Sequence, residues 1–341
     1  MEKIEETIEE RATLRYLITG ATGFIGPHLI KKLVSMEHEC RCLVRSKSKT
    51  ELLRELDVDI VEGDITNAES LEGISDGVDC IFHMATLGHL SNFKVTEATF
   101  NKVNVQGTIN VMQEAIKAGV QRVIHCSSVA AMGICSEVPA TEESDCRPHH
   151  SYGRSKHTAE KEVIRMVSEQ GLPAVIVRFS MVYGPGDWRD MLKLTRMTKK
   201  GLFPKVGNRP KLTPLIHVDD AIKGLLLAAE KGRVGEVYLI ANQESMPFDE
   251  IRKILQKALG VKRLPLYVPE WMALSMASFS EKIFPLIGKV SPVSRKNIES
   301  TLADRVFSID KAKRELGFEP GIEPHEGLRE TVAWYKQEGW V

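Results

Sequence analysis

A phenol, an amine and a hydroxyl stand at positions where together they could move a proton to or from a substrate oxygen. Tyr152 and Lys156 are at positions i and i+4 of a predicted helix and therefore share one helix face. A nearby ammonium favours the phenolate, so Tyr152 could exchange a proton with a carbonyl or an alcohol. Ser128, with Ser127 as the alternative, ends a predicted strand and could hydrogen-bond the same oxygen. The competing interpretations are that Tyr152 and Lys156 form an ordinary pair on a helix surface and that the two serines cap a loop.

Three glycines open the first predicted helix, directly after the first predicted strand. Glycine suits a sharp turn and a close approach to a pyrophosphate, and the first N–H groups of the helix would face the phosphates. A glycine-rich turn without a ligand is the alternative, but the position after a first strand favours a dinucleotide site. The cofactor contacts predicted in this turn are Gly20, Thr22, Gly23, Phe24, Ile25 and Gly26.

The end of the second predicted strand indicates which dinucleotide is bound. Arg45 stands where an Asp or Glu would hold the adenosine ribose. A guanidinium can hold a 2′-phosphate with two parallel hydrogen bonds, so the sequence predicts NADP(H) in preference to NAD(H). The alternative is that Arg45 and Lys47 form a solvated loop, and Asp64 could equally cap a helix. Further predicted cofactor contacts are Asp64, Ile65, Met84, Ala85, Tyr152 and Lys156, of which Lys156 could reach the nicotinamide ribose.

The elements that must position these residues alternate between strands and helices. Short β-branched runs predict strands at 16–19, 39–45, 59–62, 80–83, 122–126 and 174–179. Helical spacing of apolar residues predicts helices at 25–36, 97–118 and 152–170. This alternation predicts an α/β Rossmann fold, in which a doubly wound parallel sheet is covered by helices on both faces.

The second half of the chain is less regular, because prolines divide it into short pieces after residue 184. We expect a polar extension over 1–13 and a dinucleotide-binding domain over 14–184. Residues 185–341 are expected to form a small, mostly helical substrate-binding cap, with 215–242 returning to the Rossmann core. The elements predicted here are helices at 217–229, 248–259, 271–287, 295–302 and 324–336 and a strand at 236–240.

Composition excludes several classes of function. Lys and Arg total 46 and so do Asp and Glu, so no net positive field favours nucleic acid. The apolar stretch 264–290 is interrupted by charges and Pro285, which argues against a transmembrane span and leaves a core-covering helix or an interfacial one. The first residues are acidic and polar, so we expect a cytoplasmic protein. The six cysteines have no zinc-like spacing, and we predict no metal site.

An ordered set of short motifs runs along almost the whole chain. They are GATGFIG at 20–26, HMAT at 83–86, NVQGT at 104–108, CSSVAAMG at 126–133, YGRSK at 152–156, RFSMVYGPGD at 178–187 and IHVDD at 216–220. In this order they resemble the extended short-chain dehydrogenases/reductases, nearest to the 3β-hydroxysteroid-dehydrogenase-like branch. The resemblance implies that Tyr152 donates the proton, Lys156 assists it, Ser128 orients the carbonyl and Asn104 supports the geometry. It also implies a homodimer formed through the helices at 97–118 and 152–170.

Two positions bear on the substrate. Nucleotide-sugar members of this family commonly carry Asn where this chain has Met181, and Arg close to where it has Thr213. Because a buried diphosphate needs such partners, we expect instead a largely apolar secondary alcohol or ketone. A nucleotide-sugar epimerase or dehydratase with retained NAD(P) stays open, since Arg189, Lys193 or Arg209 could bind phosphate; a dinucleotide sensor without turnover is a third reading. The predicted substrate contacts are Thr86, Ser127, Met181, Tyr183 and Thr213.

Overall fold

The computed structural model describes residues 13–46, 50–88, 95–262, 266–286, 295, 298 and 302–341. Its strands are β1 Arg15–Thr19, β2 Glu39–Val44, β3 Asp59–Glu62, β4 Cys80–His83, β5 Arg122–Ser128, β6 Ala174–Phe179, β7 Met181–Tyr183, β8 Pro204–Val206, β9 Leu212–Thr213, β10 Leu215–His217, β11 Val237–Ile240, β12 Met246–Pro247 and β13 Leu266–Val268. Its helices are α1 Ile25–Ser35, α2 Glu51–Arg54, α3 Glu97–Phe100, α4 Gly107–Lys117, α5 Ser151–Gln170, α6 Asp190–Lys200, α7 Val218–Lys231, α8 Phe248–Leu259, α9 Glu270–Leu286, α10 Asp310–Leu316 and α11 Pro324–Gln337.

The main sheet has the order β3-β2-β1-β4-β5-β6-β11, and its neighbouring strands are parallel. The chain winds one way from β1 through β3 and then returns to place β4 on the other side of β1. A crevice for a ligand opens at such a reversal, at the carboxyl ends of the strands. The predicted doubly wound Rossmann fold is therefore confirmed.

The sheet separates two apolar cores, and side chains that alternate along a strand enter opposite ones. In β1, Ile18 packs with the residues of α1 and α7, whereas Leu17 packs with those of α4 and α5. All six residues of β6 are buried, as a central parallel strand requires. The strand pattern in the sequence thus reflects burial on both faces.

The helix predicted at 97–118 is divided into three pieces. α3 passes into a π-helical segment, Asn101–Gln106, and this passes into α4. π-helical turns are often found at functional sites, and here the segment carries the buried Asn104. Gly107 follows because a Cβ there would lie 2.7 Å from the Ile65 side chain. Apolar periodicity alone could not predict this local widening.

The C-terminal third contributes to both the cap and the Rossmann core. α6, α8 and α11 share a third apolar cluster. Neither α6 nor α10 was expected; α6 lies between Pro185 and Pro204 and ends at Gly201, whose φ of +72° suits glycine. Ile309, Ala312 and Leu316, in and beside α10, join the core formed by α1 and α7. We therefore propose that the Rossmann part includes 309–318 in addition to 215–242.

α9 covers most of the apolar stretch 264–290. Trp271, Met276 and Phe279 are exposed on it. Among the described residues, no helix is both long and apolar enough to cross a bilayer. The predicted helix at 295–302 falls largely outside the described residues, as do residues 1–12 of the predicted extension and Lys47.

Candidate active site

The glycine turn lies where the sheet reverses. Gly20 has a φ of +78°, and a Cβ there would approach the backbone of Met84 and Ala85 to 2.8 Å. A Cβ on Gly26 would lie 2.5 Å from the carbonyl oxygen of Ala21. Within the described part of the chain, no side chain caps the start of α1. The turn therefore fits a pyrophosphate, which would accept hydrogen bonds from the first N–H groups of this helix.

The predicted phenol and hydroxyl lie together at the end of β5. Tyr152, in the first turn of α5, is hydrogen-bonded to Ser128. Burial raises the pKa of Tyr152, while the hydrogen bond to Ser128 and the charge of Arg189 act in the opposite direction. The phenol therefore keeps its proton at neutral pH, which is the state needed to protonate a carbonyl oxygen.

Lys156 lies one helical turn after Tyr152 in α5 and is almost completely buried. Its Nζ donates a hydrogen bond to the backbone oxygen of Cys126 at 2.6 Å. Burial lowers the pKa of Lys156 to about 8. From the sequence, the charge of Lys156 was expected to favour the Tyr152 phenolate. In the structure, Arg189 is the cation that lowers the pKa of Tyr152.

Asn104 connects the loop after β4 to the active-site helix. Its Oδ1 accepts hydrogen bonds from the Thr86 hydroxyl at 3.0 Å and the Leu87 N–H at 2.7 Å. Its Nδ2 donates to the Ser155 hydroxyl at 2.9 Å and to the Leu87 oxygen. The side chain thus satisfies its donors and acceptors within the protein, as a supporting residue should. Thr86, predicted to contact substrate, is held by this amide.

A buried chain of hydrogen bonds starts at the glycine turn and ends at Asn104. The Ala85 N–H donates to the Thr19 hydroxyl at 3.1 Å, and Thr19 Oγ1 lies 2.8 Å from His83 Nδ1. His83 Nε2 lies 3.0 Å from the hydroxyl of Thr108, which itself donates to the Asn104 backbone oxygen. Because Thr108 already donates, Nε2 must carry the proton of His83. Burial lowers the pKa of His83 to about 3, so this ring is neutral.

Ser127 takes part in a different network from Ser128. Its hydroxyl donates to Glu160, which forms a buried ion pair with Arg178 at 2.8 Å. Strands alternate their side chains, so adjacent serines at the end of β5 face different surroundings. Ser127 therefore supports α5 and β6, and Ser128 is the serine beside the phenol. The sequence contained a signal for this network, because the arginine in the otherwise apolar strand β6 requires a buried partner.

The residues predicted to bind adenosine lie beyond the ends of β2 and β3. Arg45 is exposed and close enough for its charge to lower the pKa of Asp64. The main cause of that shift is the Thr66 N–H, which donates to Asp64 Oδ1 at 2.8 Å. Asp64 therefore also has the local turn-forming role that was the alternative. Ile65 packs against Gly107, and Met84 and Ala85 border the glycine turn.

The other predicted substrate contacts lie on the cap side. Met181 and Thr213 are partly buried at the ends of β7 and β9. Tyr183 is only 1% exposed, lies in the cap's apolar cluster and packs edge-on against His217. The structure therefore gives Tyr183 a core position, away from the group around Tyr152.

The fold and this site together define an extended short-chain dehydrogenase/reductase, an NAD(P)-dependent enzyme. The model of the NAD-dependent epimerase/dehydratase family matches residues 16–241, and the chain belongs to this family.

Three relatives illustrate its range. The chain is 29% identical to a putative dihydroflavonol 4-reductase from Synechocystis sp., over 96% of each chain. It is 28% identical to 4-hydroxy-2-methyl-3-oxo-4-farnesyl-3,4-dihydroquinoline-1-oxide ketoreductase from Stigmatella aurantiaca, over 92% of this chain and 95% of the relative. The NAD-bound structure of the dTDP-glucose 4,6-dehydratase DesIV from Streptomyces venezuelae is similar with a TM-score of 0.79 and 27% identity, over 96% of this chain and 98% of that one.

Proposed function

We propose that this protein interconverts a secondary alcohol and a ketone on a largely apolar substrate. The observation that carries the proposal is the hydrogen bond between Tyr152 and Ser128 at the end of β5, with the buried amine of Lys156 one helical turn further along α5. Met181 supports the apolar substrate, because it stands where a nucleotide-sugar enzyme commonly has Asn. The farnesyl group in the name of the Stigmatella relative supports the same class.

In the reductive direction, Ser128 and Tyr152 hold the carbonyl oxygen and Tyr152 gives it the phenol proton. Lys156, one helical turn further along α5, adds a second positive charge when it is protonated. The bound nicotinamide supplies the hydride in this direction and accepts it in the other. Asn104 keeps α5 at a fixed distance from the loop after β4, so that the two hydroxyls stay aligned.

We propose NADP(H) as the preferred cofactor. Arg45 supports this preference, because its guanidinium stands at the end of β2, where a carboxylate would repel a 2′-phosphate. The proposal would be wrong if NADH gave the clearly higher kcat/KM.

A nucleotide-sugar epimerase or dehydratase is the second candidate. It is favoured by Arg305, whose Nε is buried without a hydrogen-bond partner in the described part of the chain. The backbone N–H of Arg305 bonds to Leu212 at 3.1 Å, next to the strand that carries Thr213. The nearby Lys211 counts against this candidate, because its ammonium is paired with Glu270 at 3.2 Å and is therefore not available to a diphosphate.

One set of assays separates these functions. The purified protein is given NADPH or NADH with a 3-ketosteroid, a dihydroflavonol or methyl 3-oxooctanoate, and separately UDP-, GDP- and dTDP-sugars without added cofactor. We expect reduction of apolar ketones, and a loss of at least about 100-fold in Tyr152→Phe. Efficient turnover of a sugar nucleotide would replace the proposal with the second candidate. Cofactor binding without turnover of any compound would favour a sensor.

A further inference from the structure

We propose that Arg189 binds a carboxylate on the substrate, close to the carbon that is oxidised or reduced. This inference rests on the proposed function and narrows its substrate class to hydroxy or oxo acids with an otherwise apolar body. Arg189 lies in the loop between β7 and α6, and its side chain is 34% exposed. It is therefore accessible to a ligand without being a freely solvated surface group.

The loop holds this guanidinium against the dinucleotide turn. The guanidinium carbon of Arg189 lies 5.4 Å from the ring centroid of Phe24, a residue of the glycine turn. His28, one turn further along α1, is hydrogen-bonded to the Pro185 oxygen at 3.0 Å and fixes the start of the loop. The cation is thus fixed at the border of the cofactor site by contacts at both ends of the loop.

One donor of the guanidinium is not used by the described residues. Its Nε is buried and has no hydrogen-bond partner among them. The Asp187 carboxylate lies 3.7 Å from this atom, which is beyond hydrogen-bond distance. Asp187 instead accepts the backbone N–H groups of Arg189 at 2.9 Å and Met191 at 3.1 Å. A buried unpaired donor is costly, so the Nε–H group of Arg189 is suited to an external acceptor.

A second observation relates the charge of Arg189 to the phenol of Tyr152. The positive charge of Arg189 lowers the pKa of Tyr152, against the opposing effects of burial and of Asp190. The guanidinium, which lies over Phe24 of the glycine turn, is therefore within electrostatic range of the phenol. An anionic group bound there would lie near the oxygen that Tyr152 protonates.

The local charge balance favours one negative charge on the ligand. Asp187 and Asp190 already lie close to Arg189, so a diphosphate would meet two carboxylates and a single cation. A carboxylate matches the planar fork of an arginine and can accept two parallel hydrogen bonds. A 3-hydroxy or 3-oxo acid would have this group two carbons from the carbon that carries the reacting oxygen.

The test compares an acid with its neutral ester. Oxidation of 3-hydroxyoctanoate and of methyl 3-hydroxyoctanoate is measured with the wild type, Arg189→Met, Arg189→Lys and Lys199→Met. Methionine keeps an apolar stem over Phe24, and Lys199 is an exposed cation in the last turn of α6, the helix that follows Arg189. The Kd of NADPH is measured for each protein by fluorescence. Binding of 3-hydroxyoctanoate to the cofactor-bound enzyme is measured by calorimetry.

We expect Arg189→Met to lower the acid-to-ester ratio of kcat/KM by about 30-fold or more, Arg189→Lys to lower it less, and Lys199→Met to leave it near the wild-type value. An equal loss on both compounds would overturn the proposal, as would a weakened Kd for NADPH with an unchanged ratio. If the wild type turned over the ester and did not prefer the acid, the proposed carboxylate site would be ruled out and the proposed function would stand. If the wild type oxidised neither compound, the proposed function would fail, and calorimetry would still decide whether Arg189 binds the acid.

Discussion

Burial acts in opposite directions on the two ionisable groups of the active site. It raises the pKa of the Tyr152 phenol and lowers the pKa of the Lys156 amine to about 8. The phenol is thereby kept protonated, while the amine loses its charge only slightly above neutral pH. Their roles therefore separate: Tyr152 holds the proton that is transferred, and Lys156 supplies a charge that depends on pH.

Ketone reduction should therefore decline as the pH rises through about 8. Below that pH Lys156 is protonated, and above it the rate should fall by about tenfold per pH unit as the ammonium is lost. In Lys156→Arg the decline should move to higher pH, because a guanidinium stays charged. Profiles of kcat/KM between pH 6 and 10 test this, with the exposed Lys161→Arg as control. A wild-type profile that is flat across this range would contradict it.

At the scale of elements, α5 carries both the chemistry and its support. Tyr152 and Lys156 occupy its first turns, and Glu160 follows one turn later on the buried face. Glu160 accepts hydrogen bonds from Arg178 of β6 and Ser127 of β5. This carboxylate therefore connects the active-site helix to two central strands.

Glu160→Gln should destabilise the protein by about 3–5 kcal/mol, because it leaves the buried charge of Arg178 without a counter-ion. The matched control is Glu162→Gln, which breaks a more exposed pair with Arg165 and should cost less than about 1 kcal/mol. Urea unfolding followed by circular dichroism gives both values. Equal stability of the two variants would show that the network contributes no more than a surface pair.

The sequence predicted the elements whose pattern is local. The strands at 80–83 and 174–179 have the predicted bounds, because apolar runs flanked by turns define buried parallel strands. The edge strand at 59–62 also has the predicted bounds. The π-helical segment around Asn104 and the helix α10 were not predicted, since tertiary contacts determine both. The same holds for the active site. The order and spacing of the motifs predicted that Tyr152 and Ser128 act together, whereas only the fold brings Arg189 close enough for its charge to affect Tyr152.

At the scale of the whole molecule, we propose a homodimer formed through α4 and α5. α5 exposes a large apolar side chain, Ile164, which is 43% accessible in the single chain. An apolar residue on an outward helix face is suited to burial against the same face of a second copy. Two active-site helices would then stiffen each other across the interface.

Ile164→Asp should shift the protein from dimer to monomer, because it would bury a carboxylate in an apolar contact. Analytical ultracentrifugation measures the distribution at several concentrations. Val234→Asp, at a similarly exposed position between α7 and β11, should leave it unchanged. A monomeric wild type, or an equal effect of both substitutions, would rule out this interface.

The return of residues 309–318 to the first core has a consequence for biosynthesis. The surface of α7 that α10 covers is completed only by a segment near the carboxyl end, long after β11 has been made. While the ribosome is still adding the cap, the nascent dinucleotide-binding half has an uncovered apolar surface on that face. Chaperones that bind emerging chains would therefore meet this protein at a late stage, and a stop codon before α10 would remove part of the nucleotide domain together with α11 of the cap.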